Sequence, residues 1–161
     1  MDNKEKIEAA LEEAKSLLEN SRLVEAEKKT ETILEEYPNN GEALYIMAVC
    51  QRYLNRLEEA LKTLRQLKQI RPGYGRAFQE EGHVCIAAGY TSQALVAYRH
   101  AVSLNNSLIA SWAALTKILN NQGKIENAKI TQTEYEKLEA LPSELLSVRN
   151  MIAEGYNYQA E

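Results

Sequence analysis

One bend recurs along this chain every 34 residues. Ala26, Ala60, Ala94 and Ala128 close the segments ENSRLVEA, YLNRLEEA, AAGYTSQA and NQGKIENA. Within that frame Ser21, Asn55, Gly89 and Gly123 share one position, where a helix C-terminus commonly takes a left-handed residue. Pro38 and Pro72 share another, at the end of the second helix, and Asn106 stands there in the third copy. A fixed period of this length restricts the fold severely. Each copy has an apolar face that only its neighbour can cover, so the copies stack as a solenoid.

The spacing inside each copy is helical. In the second, Leu44, Met47, Ala48 and Gln51 fall on one side of a first helix, and Leu57, Ala60, Leu61 and Leu64 on one side of a second. Small residues recur where the two would cross: Ala14, Ala48 and Gly82 in the first helix, the four bend alanines in the second. Small side chains there let helix axes approach to about 8–10 Å. Thr116 breaks the first series in the fourth copy. Composition agrees with helices, since 3 Pro and 7 Gly in 161 residues leave little for β-turns.

These residues resemble the tetratricopeptide repeat family. The third and fourth copies supply most of its pattern: Phe78, Gly82, Gly89, Ala94, Tyr98 and Ala101, then Trp112, Leu115, Gly123 and Ala128. Glu81 replaces the usual Leu, and Thr30 and Gln132 replace the aromatic. The resemblance implies an all-α, right-handed solenoid forming a single domain over residues 1–161. Its repeats are expected at about 7–40, 41–74, 75–108 and 109–140, with a partial fifth at 143–161.

The two ends read differently from the middle. Glu13 stands where later copies carry Met47 and Leu115, as expected of an N-terminal cap with no preceding repeat. In the last stretch, Pro142 and Ser143 are expected to start a helix, Gly155 to bend it and Ala160 to begin its partner. A repeat cut in this way is expected of a piece of a longer protein. The segment EKLEALPSELLSVRNMIAEGYNYQAE is also similar to the spacer in bacterial proteins that join such an array to a sulfotransferase domain, which would place an enzyme elsewhere in the parent chain.

Charge and motif content exclude several functions. The net charge is −4, unlike that of a general nucleic-acid binder, although residues 39–108 carry 8 Lys/Arg against 5 Asp/Glu. No apolar run approaches the roughly 18 residues of a membrane span, and MDNKEKIEAA lacks a secretory core. Neither a GxxxxGK loop nor a CxxC or paired-His spacing is present, so no catalytic residue, metal or cofactor is expected. Cys50 and Cys85 lie inside apolar helical patterns as small core residues, which points to a reduced, cytoplasmic chain. Lys62, Arg65, Lys68 and Arg71 form a basic stripe on one second helix. The preceding second helix carries Glu25, Glu27, Glu31, Glu35 and Glu36, so the two are expected to complement each other.

In the family, first helices line the concave surface. The 34-residue register carries its ligand-facing positions onto Lys15 in the first copy and Tyr45, Val49, Arg52 and Tyr53 in the second. Arg76, Gln79 and His83 follow in the third, and Lys117, Asn120 and Asn121 in the fourth. Arg and Tyr are typical binding hot spots, and Asn offers both a donor and an acceptor to a peptide backbone. The two-carboxylate clamp of chaperone-binding members is not reproduced, because Leu11 and Lys15 stand where it needs Lys and Asn.

The resulting expectation is a non-catalytic scaffold binding a protein or acidic peptide segment, with neither nucleic-acid binding nor membrane insertion. Two alternatives stand beside it. One is an accessory region presenting substrate to a larger enzyme such as a sulfotransferase. The other is self-assembly, a weak homodimer through the C-terminal partial repeat.

Overall fold

The computed structural model describes the backbone of residues 2–160 and the side chains of residues 2–154. Among the described residues every regular element is an α-helix. The chain divides into two compact units, Met1–Ile70 and Arg71–Glu161. The first holds α1 (Asn3–Glu19), α2 (Leu23–Glu36), α3 (Gly41–Tyr53) and α4 (Leu57–Ile70). The second holds α5 (Gly75–Ala87), α6 (Thr91–Leu104), α7 (Ile109–Asn121), α8 (Ile125–Glu139) and α9 (Ser143–Ala160).

The 34-residue frame sets the turns between paired helices. Ser21 (φ 59°), Asn55 (φ 60°), Gly89 (φ 81°) and Gly123 (φ 72°) are all left-handed, as their shared position predicts. At each, two hydrogen bonds close the helix end. The amides of Arg22, Arg56, Tyr90 and Lys124 donate to the carbonyls of Leu17, Gln51, Cys85 and Leu119 at 2.8–2.9 Å, and the residue before each donates three positions back. This double closure satisfies carbonyls that a helix end otherwise leaves orphaned. Helix starts are capped where the sequence allows it. Asp2 and Glu5 form a reciprocal box on α1, and Asn40 Oδ1 accepts from the Ala43 amide at 2.9 Å to start α3.

In the first unit, α2 packs between α1 and α3. Leu11, Ala14, Ala26, Ile33, Ala43, Ile46 and Cys50 form the core, with Ile7, Leu17, Leu18 and Leu34 packed against it. Ala48 and Leu64, both fully buried, fill the crossing of α3 with α4. Thr63 Oγ1 donates to Gln51 Oε1 at 2.7 Å beside them. In the second unit, α5 pairs with α6 and α7 with α8, and Gly82 admits the ring of Tyr98 at the α5–α6 crossing.

Two expectations need correction. The acidic residues of α2 do not meet the basic stripe through Lys62 or Arg65, which are exposed and make no ion pair among the described residues. Buried Glu27 instead pairs with Arg56, from the turn before α4, which also reaches Glu59 at 3.5 Å. A buried carboxylate needs a nearby partner, and the long exposed side chains of α4 gain little by ordering themselves. Second, α9 runs unbroken past Gly155. Glycine in a helix interior costs about 0.5–1 kcal/mol relative to alanine without forcing a turn.

Candidate functional site

In the first unit the expected binding residues lie on α1 and α3. Lys15 is already engaged, with its ammonium 3.1 Å from Glu12 and 3.2 Å from Glu42. Burial alone would lower its pKa, but the contacts with Glu12 and Glu42 outweigh that and hold it above the ordinary lysine value. Arg52 stacks over the ring of Tyr53 at 4.2 Å, leaving that tyrosine 59% exposed. Tyr45 is half-buried. Val49, another of the expected positions, is buried.

In the second unit, Arg76, Gln79 and His83 follow one another along one side of α5, and Lys117, Asn120 and Asn121 along one side of α7. Ser111 Oγ of α7 donates to Gln79 Oε1 at 2.7 Å, which ties the two first helices side by side. His83 is drawn inward. Its Nδ1 lies 2.6 Å from the hydroxyl of buried Tyr98, and either atom can donate. A buried phenol requires such a partner, and His83 supplies one. Lys117, Asn120 and Asn121 are exposed, and among the described residues their side chains make neither a hydrogen bond nor an ion pair.

Arg76 has a carboxylate on it. Glu154 Oε1 of α9 lies 2.5 Å from Arg76 Nε. One turn earlier on α9, Asn150 Oδ1 accepts from Asn105 Nδ2 at 3.1 Å, and Asn105 is almost fully buried between α6 and α7. α9 thus lays one polar edge against α5 and the α6–α7 turn, while Leu145, Val148, Met151 and Ile152 remain exposed. Asn105, Asn150 and Glu154 were not among the expected site residues. No sequence signal joins them, because the pairing spans 78 residues from Arg76 to Glu154 and follows no repeat period.

Cys50 and Cys85 lie within α3 and α5. Both are buried thiols. Burial, reinforced by Glu27 and opposed by Arg56, pushes Cys50 up to about 11, so it stays a thiol at neutral pH. Among the described residues no three His, Cys, Asp or Glu side chains converge as a metal site, and no helix is long and apolar enough to cross a membrane.

Stacked antiparallel helix pairs closed by left-handed turns define an all-α solenoid, and solved structures share this fold. MamA is 17% identical with a TM-score of 0.73, the match covering 85% of this chain and 80% of that one. TTC0263, described as a thermophilic TPR protein of Thermus thermophilus, is 21% identical with a TM-score of 0.73 over 94% of this chain and 82% of that one. An O-GlcNAc transferase mutant of Thermobaculum terrenum is 21% identical with a TM-score of 0.70, over 74% of this chain but only 23% of that one. No curated protein sequence matches. Residues 11–80 match the tetratricopeptide repeat family. The family match thus covers under half of the chain, and the solved structures share its all-α solenoid fold over most of its length.

Proposed function

We propose that this chain is a non-catalytic protein-interaction module whose α5–α7 face binds an acidic peptide segment of a partner. One observation carries the reading: Arg76, on that face, already receives a carboxylate from Glu154 at 2.5 Å. A guanidinium that pairs with an internal glutamate can pair instead with a carboxylate from another chain. The family's role as a scaffold supports the reading, and an extended peptide would run past Arg76, Gln79 and Lys117 while its acidic groups replace Glu154. Cations on this face of an acidic protein would also steer such a partner.

The test begins with partners captured on the intact chain, identified by mass spectrometry and then measured directly. Arg76→Glu is expected to weaken a true ligand at least tenfold and reduce the salt dependence of what remains. Arg65→Glu, on the exposed side of α4, is expected to change affinity less than twofold. If Arg65→Glu is the damaging substitution and Arg76→Glu is silent, the ligand lies elsewhere and the reading fails.

A second reading is favoured by the likeness to O-GlcNAc transferase, of which this chain spans under a quarter. The array would then present protein substrate to a larger enzyme, and the α5–α7 face would hold that substrate. A third rests on Met151 and Ile152, each 61% exposed on α9, which would support a weak homodimer. Light scattering across a concentration series, repeated with Met151→Lys, separates that reading from the first two.

A further inference from the structure

In the first three copies a small residue of the first helix is matched by a larger one 16 positions on, in the second, and Gly82 and Tyr98 meet at their crossing. The pairs Ala14–Thr30, Ala48–Leu64 and Gly82–Tyr98 are all buried. The fourth pair, Thr116–Gln132, departs from this pattern. Thr116 Oγ1 is held by Thr131 Oγ1 at 2.7 Å and by the Trp112 carbonyl at 3.0 Å. Gln132 is only half-buried, and its Nε2 donates along its own helix to Glu136 Oε1 at 2.8 Å. Where Tyr98 fills its crossing, Gln132 leaves an open cleft of about 430 Å³.

The cleft has two unlike walls. Lys117, Asn120 and Asn121 line the α7 side, and Gln132 and Tyr135 the α8 side. On α7 an ammonium and two carboxamides have donors unspent among the described residues. On α8 one of the two Gln132 Nε2 hydrogens is spent on Glu136 while Oε1 remains an acceptor, and the Tyr135 hydroxyl donates to Glu139 Oε1 at 2.8 Å. Donors on one wall and an acceptor on the other match a group that offers a carboxylate and an N–H together.

We propose that this cleft holds one acidic residue of a bound peptide. Its carboxylate sits against Lys117, Asn120 and Asn121, and a neighbouring main-chain N–H donates to Gln132 Oε1. This deepens the peptide-binding reading and rests on it. Glu136 and Glu139 on the α8 rim repel a second acid, so the residues flanking the first are neutral or basic.

The test uses the full chain and three probes: acetyl-Ala-Glu-Ala-amide, its Gln counterpart, and acetyl-Ala-Ala-Ala with a free C-terminal carboxylate. The side-chain amide NMR signals of Asn120 and Asn121, and of Gln132 where it is present, are followed during titration. The Glu probe is expected to shift all three saturably, and the other two probes at least tenfold more weakly. Lys117→Met, at an exposed position, is expected to weaken the Glu probe at least tenfold. Thr116→Gly with Gln132→Tyr installs the pair of the third repeat and is expected to abolish the shifts while retaining helical circular dichroism. Equal shifts with the Gln probe, a preference for the free-acid probe, or undiminished binding by Lys117→Met would each overturn the proposal. Failure here is distinguishable from failure of the wider reading. A partner weakened by Arg76→Glu but indifferent to Lys117→Met would leave the module intact and remove only the cleft.

Discussion

Gly82→Ala tests the packing that organises the second unit. A Cβ at this position would lie 2.6–2.7 Å from Cε1, Cδ1 and Cζ of Tyr98. Ordinary carbon contacts begin near 3.5 Å, so the ring would have to retreat by about 1 Å. It has little room to do so, being 2% exposed with its hydroxyl 2.6 Å from His83 Nδ1. Overpacking costs about 1–3 kcal/mol, and breaking the hydroxyl contact adds about 0.5–1.5. The gain in helix propensity returns about 1 kcal/mol. The net expectation is a loss of about 1–3 kcal/mol, read as a fall in urea midpoint of roughly 0.5–1.5 M at an unchanged slope near 2 kcal/mol/M. The double variant Gly82→Ala with Tyr98→Leu imports the Ala48–Leu64 pair, so a double-mutant cycle should show favourable coupling. A single variant as stable as the parent would show that Tyr98 is not fixed, and the reasoning about this crossing would be wrong.

Ser21→Gly should stabilise the chain by up to about 1 kcal/mol, because a non-glycine residue at φ 59° carries left-handed strain; a lower thermal midpoint would mean that the serine side chain contributes more than that strain. Cys50, whose pKa is raised from 9.0 to about 11 chiefly by burial, contributes stability that is complete below pH 9 and lost as pH rises toward 11. Over that window Cys50→Ala should flatten the loss by about 2–3 kcal/mol, measured by urea unfolding at pH 8 and pH 11, and an unaltered slope would contradict the assignment.

Much of the fold was legible because its determinants are local. The left-handed turns depend on backbone chirality at single positions, and the sequence marks them with Ser21, Asn55, Gly89 and Gly123. The crossings depend on side-chain size, and Ala14, Ala48 and Gly82 are buried where the repeat places them. The candidate site was legible only as a set of positions. Register put Arg76 and Lys117 on first helices, but not what each would meet: a glutamate for one, an open cleft for the other. Gln132 was visible as a departure from the aromatic pattern, yet the cleft that it leaves depends on which way its amide turns.

The residues alone determined the period, the helix pairing and the turn chemistry, because these follow from steric preferences acting over a few neighbours. Tertiary structure decided where the charges went. Glu27 found Arg56 rather than the basic stripe, Lys15 was reached by Glu42 of α3, and Glu154 reached back to Arg76. Coulomb attraction has no preferred sequence separation, and whichever opposite charge the packed helices bring within a few ångströms becomes the partner.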